Sequence, residues 1–352
     1  MNRAAEIIEQ IKEEEQKGFF KRRKSEGKKP ESMKTYILEL PFHLQNAIKI
    51  VGEYSYLKKV NRIILCGVGP GEVASNLVKN YLSSDAKNLD VVDKHYIPEN
   101  VDDKTLVFIL SFSGDEEEPL LCYRNALRKG CKIVGLLGGG KIVESFKRNN
   151  VEHIILPQNI PVQIGVSYLT MAVLKYLENS RIIQNQSKSI EECLKALKNS
   201  EYQNMGKHLA GHAKDKTPLL YTSPKLWAVA NSWKYLLNSM ARTHSFWATY
   251  SELVYTELDG FSDNKKDYQV MFLRDQDDDK HTLKVINASK KVLKNHGQSL
   301  TELLVKGNNR LSKIFSSLAI GYWTAYYISE EKKNKDKKSL VNNYKTEFSE
   351  SF

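Results

Sequence analysis

Three short loops rich in glycine and serine are the part of this sequence best suited to chemistry. Hydroxyls and free backbone N–H groups at the start of a helix donate to anions, and the helix dipole favours negative charge there. Ser111 and Ser113 are the best candidate donors, with Gly69, Gly71 and Gly114 beside them. The alternative is ordinary turn chemistry, which uses the same residue types. The loops read Gly67-Val68-Gly69-Pro70-Gly71, Ser111-Phe112-Ser113-Gly114 and Gly138-Gly139-Gly140.

Other catalytic and cofactor motifs are not found in the chain. There is no P-loop, and the Gly67-Val68-Gly69 start of a dinucleotide pattern has Glu72 in place of the third glycine. The sequence therefore predicts neither a metal nor a cofactor. The four cysteines form no zinc-binding spacing and are expected to be reduced thiols; they are Cys66, Cys122, Cys131 and Cys193.

The elements that must position these loops alternate between apolar strands and amphipathic helices. Strands are predicted at 61–66, 105–110, 131–137 and 153–156, and a second, weaker set at 218–221 and 267–273. This alternation is typical of α/β proteins with parallel sheets, in which ligands bind at the carboxyl ends of strands. Since three of the predicted strands end in the small-residue loops, a ligand site at that edge is favoured over three unrelated turns.

The chain of 352 residues is long enough for about two domains. We expect a charged extension at 1–34, a first domain at 35–195, a second at 196–331 and a Lys-rich tail at 332–352. The apolar pattern at 311–329 contains Lys313 and several serines, so it predicts a buried core helix rather than a membrane span. Met1 to Gln16 is Glu-rich and does not resemble a secretory signal. The sequence thus predicts a cytoplasmic protein with no membrane partner.

The net charge of +11 is concentrated at the ends of the chain. Residues 17–34 carry +6 and residues 332–352 carry +3, which leaves +2 for the remainder. The basic arm, with Arg22-Arg23-Lys24, could neutralise nucleic-acid phosphates, but a solvated arm is the favoured interpretation. The content of 41% hydrophobic and 27% charged residues excludes a mostly disordered chain.

The loops and the run Arg128-Lys129-Gly130-Cys131-Lys132-Ile133-Val134-Gly135 resemble sugar isomerase (SIS) domains. The match is most specific to the archaeal-type bifunctional phosphoglucose/phosphomannose isomerases and covers roughly residues 35–345. The resemblance implies two SIS-like domains, each a three-layer αβα unit with a parallel sheet, between helical N-terminal and C-terminal extensions. It also implies a homodimer and a sugar phosphate or related carbohydrate derivative as ligand.

The functional positions of that family are largely substituted in this chain. Aldose–ketose isomerisation needs a carboxylate base, a cation that stabilises the oxyanion, and a histidine for ring opening. The matched positions hold Ser239, Gln163 and Tyr255. Gly71 replaces a hydroxyl of the first loop, and Glu116 replaces a threonine of the second. Ser111, Ser113, Glu257 and Lys345 are the matched residues that remain.

These substitutions favour a carbohydrate-derivative binding protein that does not isomerise its ligand. Two alternatives stay open at this point. One is an active phosphosugar isomerase in which Glu252 or Glu257 has taken over as the base, against the simpler interpretation that both carboxylates satisfy structural hydrogen bonds. The other is a nucleic-acid-associated protein that binds through the basic arm. Glu116 beside the serine loop would oppose a phosphate unless a cation compensates.

Overall fold

The computed structural model describes residues 32–52, 60–83, 88–262, 267–332 and 340–350. Two parallel β-sheets organise this part of the chain. The first has five strands in the order β2-β1-β3-β4-β5, and the second has four in the order β7-β6-β8-β9. The strands are β1 (Arg62–Cys66), β2 (Leu89–Val92), β3 (Thr105–Ser111), β4 (Lys132–Leu137), β5 (His153–Ile155), β6 (Thr217–Thr222), β7 (Phe246–Thr249), β8 (Tyr268–Asp275) and β9 (Ser299–Val305).

Helices cover both faces of each sheet, as parallel strands require. Three short helical segments follow β7 at Tyr250–Glu252, Leu253–Glu257 and Leu258–Phe261, the middle one with π geometry. The longer helices are α1 (Met33–Leu38), α2 (Leu40–Val51), α3 (Pro70–Tyr81), α4 (Glu117–Arg128), α5 (Gly140–Arg148), α6 (Val162–Asn179), α7 (Ser187–Ala196), α8 (Glu201–Ala213), α9 (Trp227–Ser239), α10 (Lys280–Asn295), α11 (Arg310–Glu331) and α12 (Leu340–Glu350).

The side chains of each central strand alternate between two hydrophobic clusters. In β3, Leu106, Phe108 and Leu110 join the largest cluster, while Val107 and Ile109 join a second one. This follows from the period of two along a strand. Because both faces are covered, every residue of β3 is buried and the strand reads as one continuous apolar run.

The largest cluster extends from one sheet to the other through a shared layer of helices. It contains residues of both sheets, such as Phe108 of β3 and Met271 of β8. Within this layer α3 packs against α6 and α9, and α11 packs against α7, α8 and α9. The two sheets therefore enclose one continuous core, and the carboxyl ends of the first sheet lie next to helices of the second unit.

Helix α11 is buried over most of its length, which confirms the prediction of a core helix at 311–329. Tyr322 is fully buried and Trp323 nearly so, while Tyr326 and Tyr327 are half-buried against the same cluster. Among the described residues no helix is long and apolar enough to cross a membrane.

Every predicted strand is present, and three further strands were not predicted. These are β2, β7 and β9, whose sequences are short or mix polar with apolar residues.

The polar stretch at residues 185–189 contains the start of α7. That helix packs against α11, and the Asn309 amide donates to Glu192 across the contact (2.7 Å). The domain division at 195/196 stays a prediction.

The predicted charged extension at 1–34 lies almost wholly outside the described residues. Its last three residues begin α1, where the Ser32 hydroxyl accepts a hydrogen bond from the Thr35 N–H. The Lys-rich tail is described only at 332 and 340–350.

Candidate functional site

The three small-residue loops meet at one edge of the first sheet. They follow β1, β3 and β4, which are consecutive neighbours in the sheet. The chain reverses its strand order between β1 and β3, and ligands of such sheets bind at this switch point. The structure thus brings together the loops that the sequence singled out.

Gly71 allows the first loop to lie directly on the backbone of β3. A Cβ at this position would be 2.5 Å from the carbonyl oxygen of Leu110, closer than any side chain could approach. The Gly71 N–H already donates to the Val68 carbonyl (3.1 Å). Gly69 is different, because its φ is +55° and no atom lies within 4 Å of where its Cβ would be. Close packing therefore explains Gly71, whereas Gly69 faces open space.

Ser111 ends β3 at the centre of the site and is only 1% exposed. Its hydroxyl donates to the carboxylate of Glu116 and accepts a hydrogen bond from the N–H of Gly114 (2.8 Å). Ser113, which is half-buried, accepts from the N–H of Asp115 (3.3 Å). The serine loop is thus closed on itself by a carboxylate of its own chain, which lies at the start of α4.

The second and third loops pack backbone against backbone. Gly114 has φ +82°, and a Cβ there would lie 1.7 Å from the carbonyl oxygen of Gly139. The Gly138 N–H donates to the Ser111 carbonyl (2.9 Å), and the Ile142 N–H donates to the Gly114 carbonyl (3.2 Å). The glycines of the third loop therefore position the serine loop.

Glu72 is a member of this site that sequence analysis did not select. It lies in the first turn of α3, half-buried, and accepts a hydrogen bond from the Asn76 amide (3.3 Å). Burial raises the pKa of its carboxyl, and the nearby charge of Asp93 raises it further, while Lys234 acts in the opposite direction. The sequence feature that could have identified Glu72 is its position, because it replaces the third glycine of a dinucleotide-binding pattern.

Gln163 lies beside the serine loop, at the start of α6. Two residues later, a Cβ on Gly165 would be 2.5 Å from the ring of Phe112, so this turn of the helix touches the loop. The Gln163 carbonyl accepts a hydrogen bond from the buried hydroxyl of Tyr322 (2.7 Å). Its side chain is a neutral amide, which can donate a hydrogen bond but supplies no charge to an oxyanion.

Ser239 and Tyr255 are both exposed. Ser239 is the last residue of α9, and its hydroxyl interacts with Tyr235. Tyr255 lies in the π-helical turn after β7 with 86% of its surface exposed. Among the described residues, no hydrogen bond or ion pair links either side chain to the serine loop. A hydroxyl and a solvated phenol therefore occupy the positions matched to the family base and histidine.

Glu252 and Glu257 each have a structural partner. Glu252 caps its own helical turn, accepting from the backbone N–H (2.7 Å) and hydroxyl (2.9 Å) of Thr249. The exposed Glu257 accepts a hydrogen bond from the hydroxyl of the buried Tyr221 (2.5 Å). Burial raises the pKa of Tyr221, and the Glu257 carboxylate adds to this. Lys345 belongs to α12, and its side chain lies outside the described residues.

The corresponding edge of the second sheet is filled by an ion-pair network. Lys313 of α11 is buried and forms ion pairs with Asp275, the last residue of β8, and with Asp277, two residues further on. The Asp278 carboxylate accepts from the Asp275 N–H (2.9 Å). Burial alone would lower the pKa of Lys313, but the two carboxylates outweigh it and raise that pKa. The side chains of this edge are therefore paired with one another.

The chemistry available at the first edge is recognition by hydrogen bonds. Its polar groups include hydroxyls, backbone amides, neutral side-chain amides and the carboxylates Glu72 and Glu116. Within the described ranges no group of three or more His, Cys, Asp or Glu side chains could hold a metal ion. Two like unit charges 4 Å apart repel by about 4 kcal/mol at an effective dielectric constant near 20. Glu116 thus disfavours a phosphate at the serine loop.

Comparison with known proteins agrees with this architecture. Residues 202–347 match the family described as "Bacterial phospho-glucose isomerase C-terminal SIS domain". A bifunctional phosphoglucose/phosphomannose isomerase from Caldicellulosiruptor bescii is 25% identical over 310 residues, which cover 83% of this chain and 91% of that protein.

Two solved structures share the fold. A hypothetical protein from Thermus thermophilus has a TM-score of 0.67 at 15% identity and covers 99% of this chain and 96% of its own. The C-terminal domain of a glucosamine-fructose-6-phosphate aminotransferase from Francisella tularensis has a TM-score of 0.64 at 14% identity and covers 85% of this chain and 95% of its own. At these identities the structural likeness concerns the fold alone.

Proposed function

Because this chain belongs to the sugar isomerase (SIS) domain family, we propose that it binds a carbohydrate derivative without catalysing aldose–ketose isomerisation. The proposal is supported by the residues that occupy the positions matched to the family's catalytic residues. Ser239 and Tyr255 are exposed and carry neither a carboxylate nor an imidazole, while the three loops of the binding edge keep their close packing.

The loss of isomerisation follows from the barrier. Loss of one preorganised stabiliser costs roughly 3–4 kcal/mol, and three positions are changed here. A serine hydroxyl is no substitute for a carboxylate base, and a phenol is a much poorer acid–base near neutrality than an imidazole.

A relocated base finds no support in the structure. Glu252 is occupied as a helix cap, and Glu257 accepts from Tyr221. Both bonds fit structural roles, and neither carboxylate is linked to the serine loop among the described residues. The relocated-base alternative would need Glu257 to leave a buried tyrosine hydroxyl without its partner, which costs about 1–3 kcal/mol.

The ligand class rests on the family and on the edge of the sheet. The relatives that share most of this chain are named for phosphosugar chemistry, and the hydroxyl and amide groups of the loops suit a polyol. We further propose that the protein is a homodimer, as the resemblance implies, and that it is cytoplasmic, as its cysteine content predicts. The nucleic-acid alternative stays a prediction, because the basic residues 17–31 lie outside the described part of the chain.

A combined assay tests the proposal. Fructose 6-phosphate and mannose 6-phosphate are offered in a coupled isomerase assay from pH 5 to 9, and calorimetry measures the binding of sugars with and without phosphate. We expect binding of at least one sugar and no turnover above background. Turnover at any pH would contradict the loss of catalysis. The absence of measurable binding for every sugar tested would contradict the proposed binding.

A matched pair of variants locates the site. Ser113→Leu places an apolar side chain in the serine loop and should abolish sugar binding. Ser200→Leu makes the same exchange at an exposed position before α8, where the serine makes no capping bond, and should leave binding unchanged. Equal effects of the two variants would show that the sugar binds elsewhere.

A further inference from the structure

The carboxylate of Glu116 occupies the hydrogen-bonding position of a ligand anion. An anion at this loop would accept from the Ser111 hydroxyl, which has a single proton to donate. That proton is already donated to Glu116, and the Gly114 N–H is already donated to Ser111. Both central donors of the loop are therefore satisfied within the chain.

The charge around Glu116 reinforces this arrangement. Residues 115–118 are four consecutive acids, and the ion pairs that join described residues include none of them. Glu72 of the neighbouring loop adds a half-buried carboxyl. The charge of Lys234, an exposed residue of α9, acts on Glu72 and lowers the pKa of its carboxyl.

We propose that the site selects carbohydrate derivatives without a phosphate group, because the Glu116 carboxylate takes the place that a ligand phosphate would occupy. This inference rests on the proposed function and names the ligand class of the same site. A carboxylate offers about four acceptor positions, and Ser111 uses one. The others accept from sugar hydroxyls, or more strongly from the ammonium group of an amino sugar, because a charge-assisted bond is about twice as strong as a neutral one.

The test uses two matched ligand pairs, glucose with glucose 6-phosphate and glucosamine with glucosamine 6-phosphate. Calorimetry on the full chain should show the unphosphorylated member of each pair binding at least about tenfold tighter, with glucosamine tightest. A tenfold ratio corresponds to about 1.4 kcal/mol. Tighter binding of the phosphorylated members would overturn the inference and leave the proposed function standing. Failure to bind any of the four, or any sugar of the wider panel, would overturn the proposed function itself.

Variants at two neighbouring acids isolate the role of Glu116. Glu116→Thr frees the Ser111 hydroxyl and should invert the preference toward the phosphorylated sugars. Glu117→Thr makes the same change in charge at an exposed neighbour and should keep the wild-type order. If Glu116→Thr fails to fold, as judged by circular dichroism, Glu116→Gln serves instead, because it removes the charge and nearly preserves the shape. An unchanged ligand ratio in the folded Glu116 variant would refute the inference.

Discussion

At the scale of single residues, the site combines a buried hydroxyl donor, Ser111, with the carboxylates of Glu72 and Glu116. Ser111 is buried, and its hydroxyl donates one hydrogen bond and accepts another within the chain. Only groups that reach this hydroxyl can interact with Ser111. Glu72 is half-buried in the adjacent loop, and burial raises the pKa of its carboxyl. Such desolvated acids are frequent at functional sites, where binding is favoured at the expense of stability.

Glu72→Gln should stabilise the protein near neutral pH. A carboxyl whose pKa is raised by folding supports the folded state below its ordinary value, near pH 4.3, and this support is lost as pH rises through the folded value. The variant has no charge to bury, so its melting temperature should exceed that of the wild type at pH 7 and match it near pH 4.

The control for Glu72→Gln is Glu118→Gln, an exposed acid whose replacement should leave the melting temperature unchanged at both pH values. A lower melting temperature of Glu72→Gln at pH 7 would show that the charge of Glu72 stabilises the folded chain.

The residue scale also marks the limit of what the sequence shows. The clash between Glu116 and a ligand phosphate was expected from its position next to Ser113 and Gly114. The bond from Ser111 to Glu116 was not, because it depends on the side-chain direction set by the turn into α4. The structural partner of Glu257 was hidden for a related reason. Tyr221 lies 36 positions earlier in the chain and meets Glu257 only in the folded molecule.

At the scale of elements, the central strands were predictable, whereas three of the four edge strands, β2, β7 and β9, were not. Residues 105–110 form an unbroken apolar run because helices cover both faces of β3. In contrast, β9 lies at an edge and mixes Thr301 and Glu302 with leucines, with most of its residues only partly buried. Apolar and polar residues do not alternate clearly enough between the two faces of β9 to predict a strand from the sequence.

Two glycines of α8 test the packing of this helix against α11. At Gly206 a Cβ would be 2.3 Å from the Cβ of Trp323, whereas at Gly211 no atom lies within 4 Å. Gly206→Ala should therefore destabilise the protein by about 1–3 kcal/mol through overpacking. Gly211→Ala should stabilise it by about 0.5–1 kcal/mol, because alanine is the better helix former.

Urea unfolding measures both glycine variants under the same conditions. Since the two changes add the same methyl group to the same helix, propensity alone would shift both in the same direction. Stabilisation by Gly206→Ala would contradict the close contact between α8 and α11.

At the scale of the whole molecule, one continuous core joins the two sheets, and several tyrosines are buried in it or in a separate cluster of the second sheet. Burial is the first cause that raises the pKa of each of four phenols: Tyr221, Tyr235, Tyr250 and Tyr322. In an unfolded chain a tyrosine titrates near pH 10. Above that pH the unfolded chain loses protons that the folded chain retains, so stability falls by up to about 1.4 kcal/mol per group and pH unit.

An ultraviolet titration of the phenolate absorbance checks this prediction. While circular dichroism shows a native fold, these four of the 18 tyrosines should remain protonated above pH 10. They should ionise together when the chain unfolds. Ionisation of all 18 with a midpoint near pH 10 in the native state would contradict the enclosed core.

The charge of the whole molecule says little about its ligand. The excess of +11 belongs mainly to residues 17–34 and 332–352, whereas the edge that holds the three loops has Glu72, Glu116 and their acidic neighbours. The acidic residues of the site therefore have the opposite charge to the net charge of the chain. This contrast was visible in the sequence only after the loops had been placed at one edge of a sheet.

The central claim is a sugar-binding site that no longer isomerises, and proton exchange tests it most directly. Isomerisation through an enediolate removes the C2 proton of an aldose or a C1 proton of a 2-ketose. With an isomerase in D₂O, mannose 6-phosphate therefore acquires deuterium at C2 and fructose 6-phosphate acquires it at C1. Proton NMR on prolonged incubation with this chain should show no exchange at C2 of mannose 6-phosphate or at C1 of fructose 6-phosphate above the protein-free rate. Enzyme-dependent incorporation of deuterium that disappears in Ser113→Leu and persists in Ser200→Leu would contradict the account.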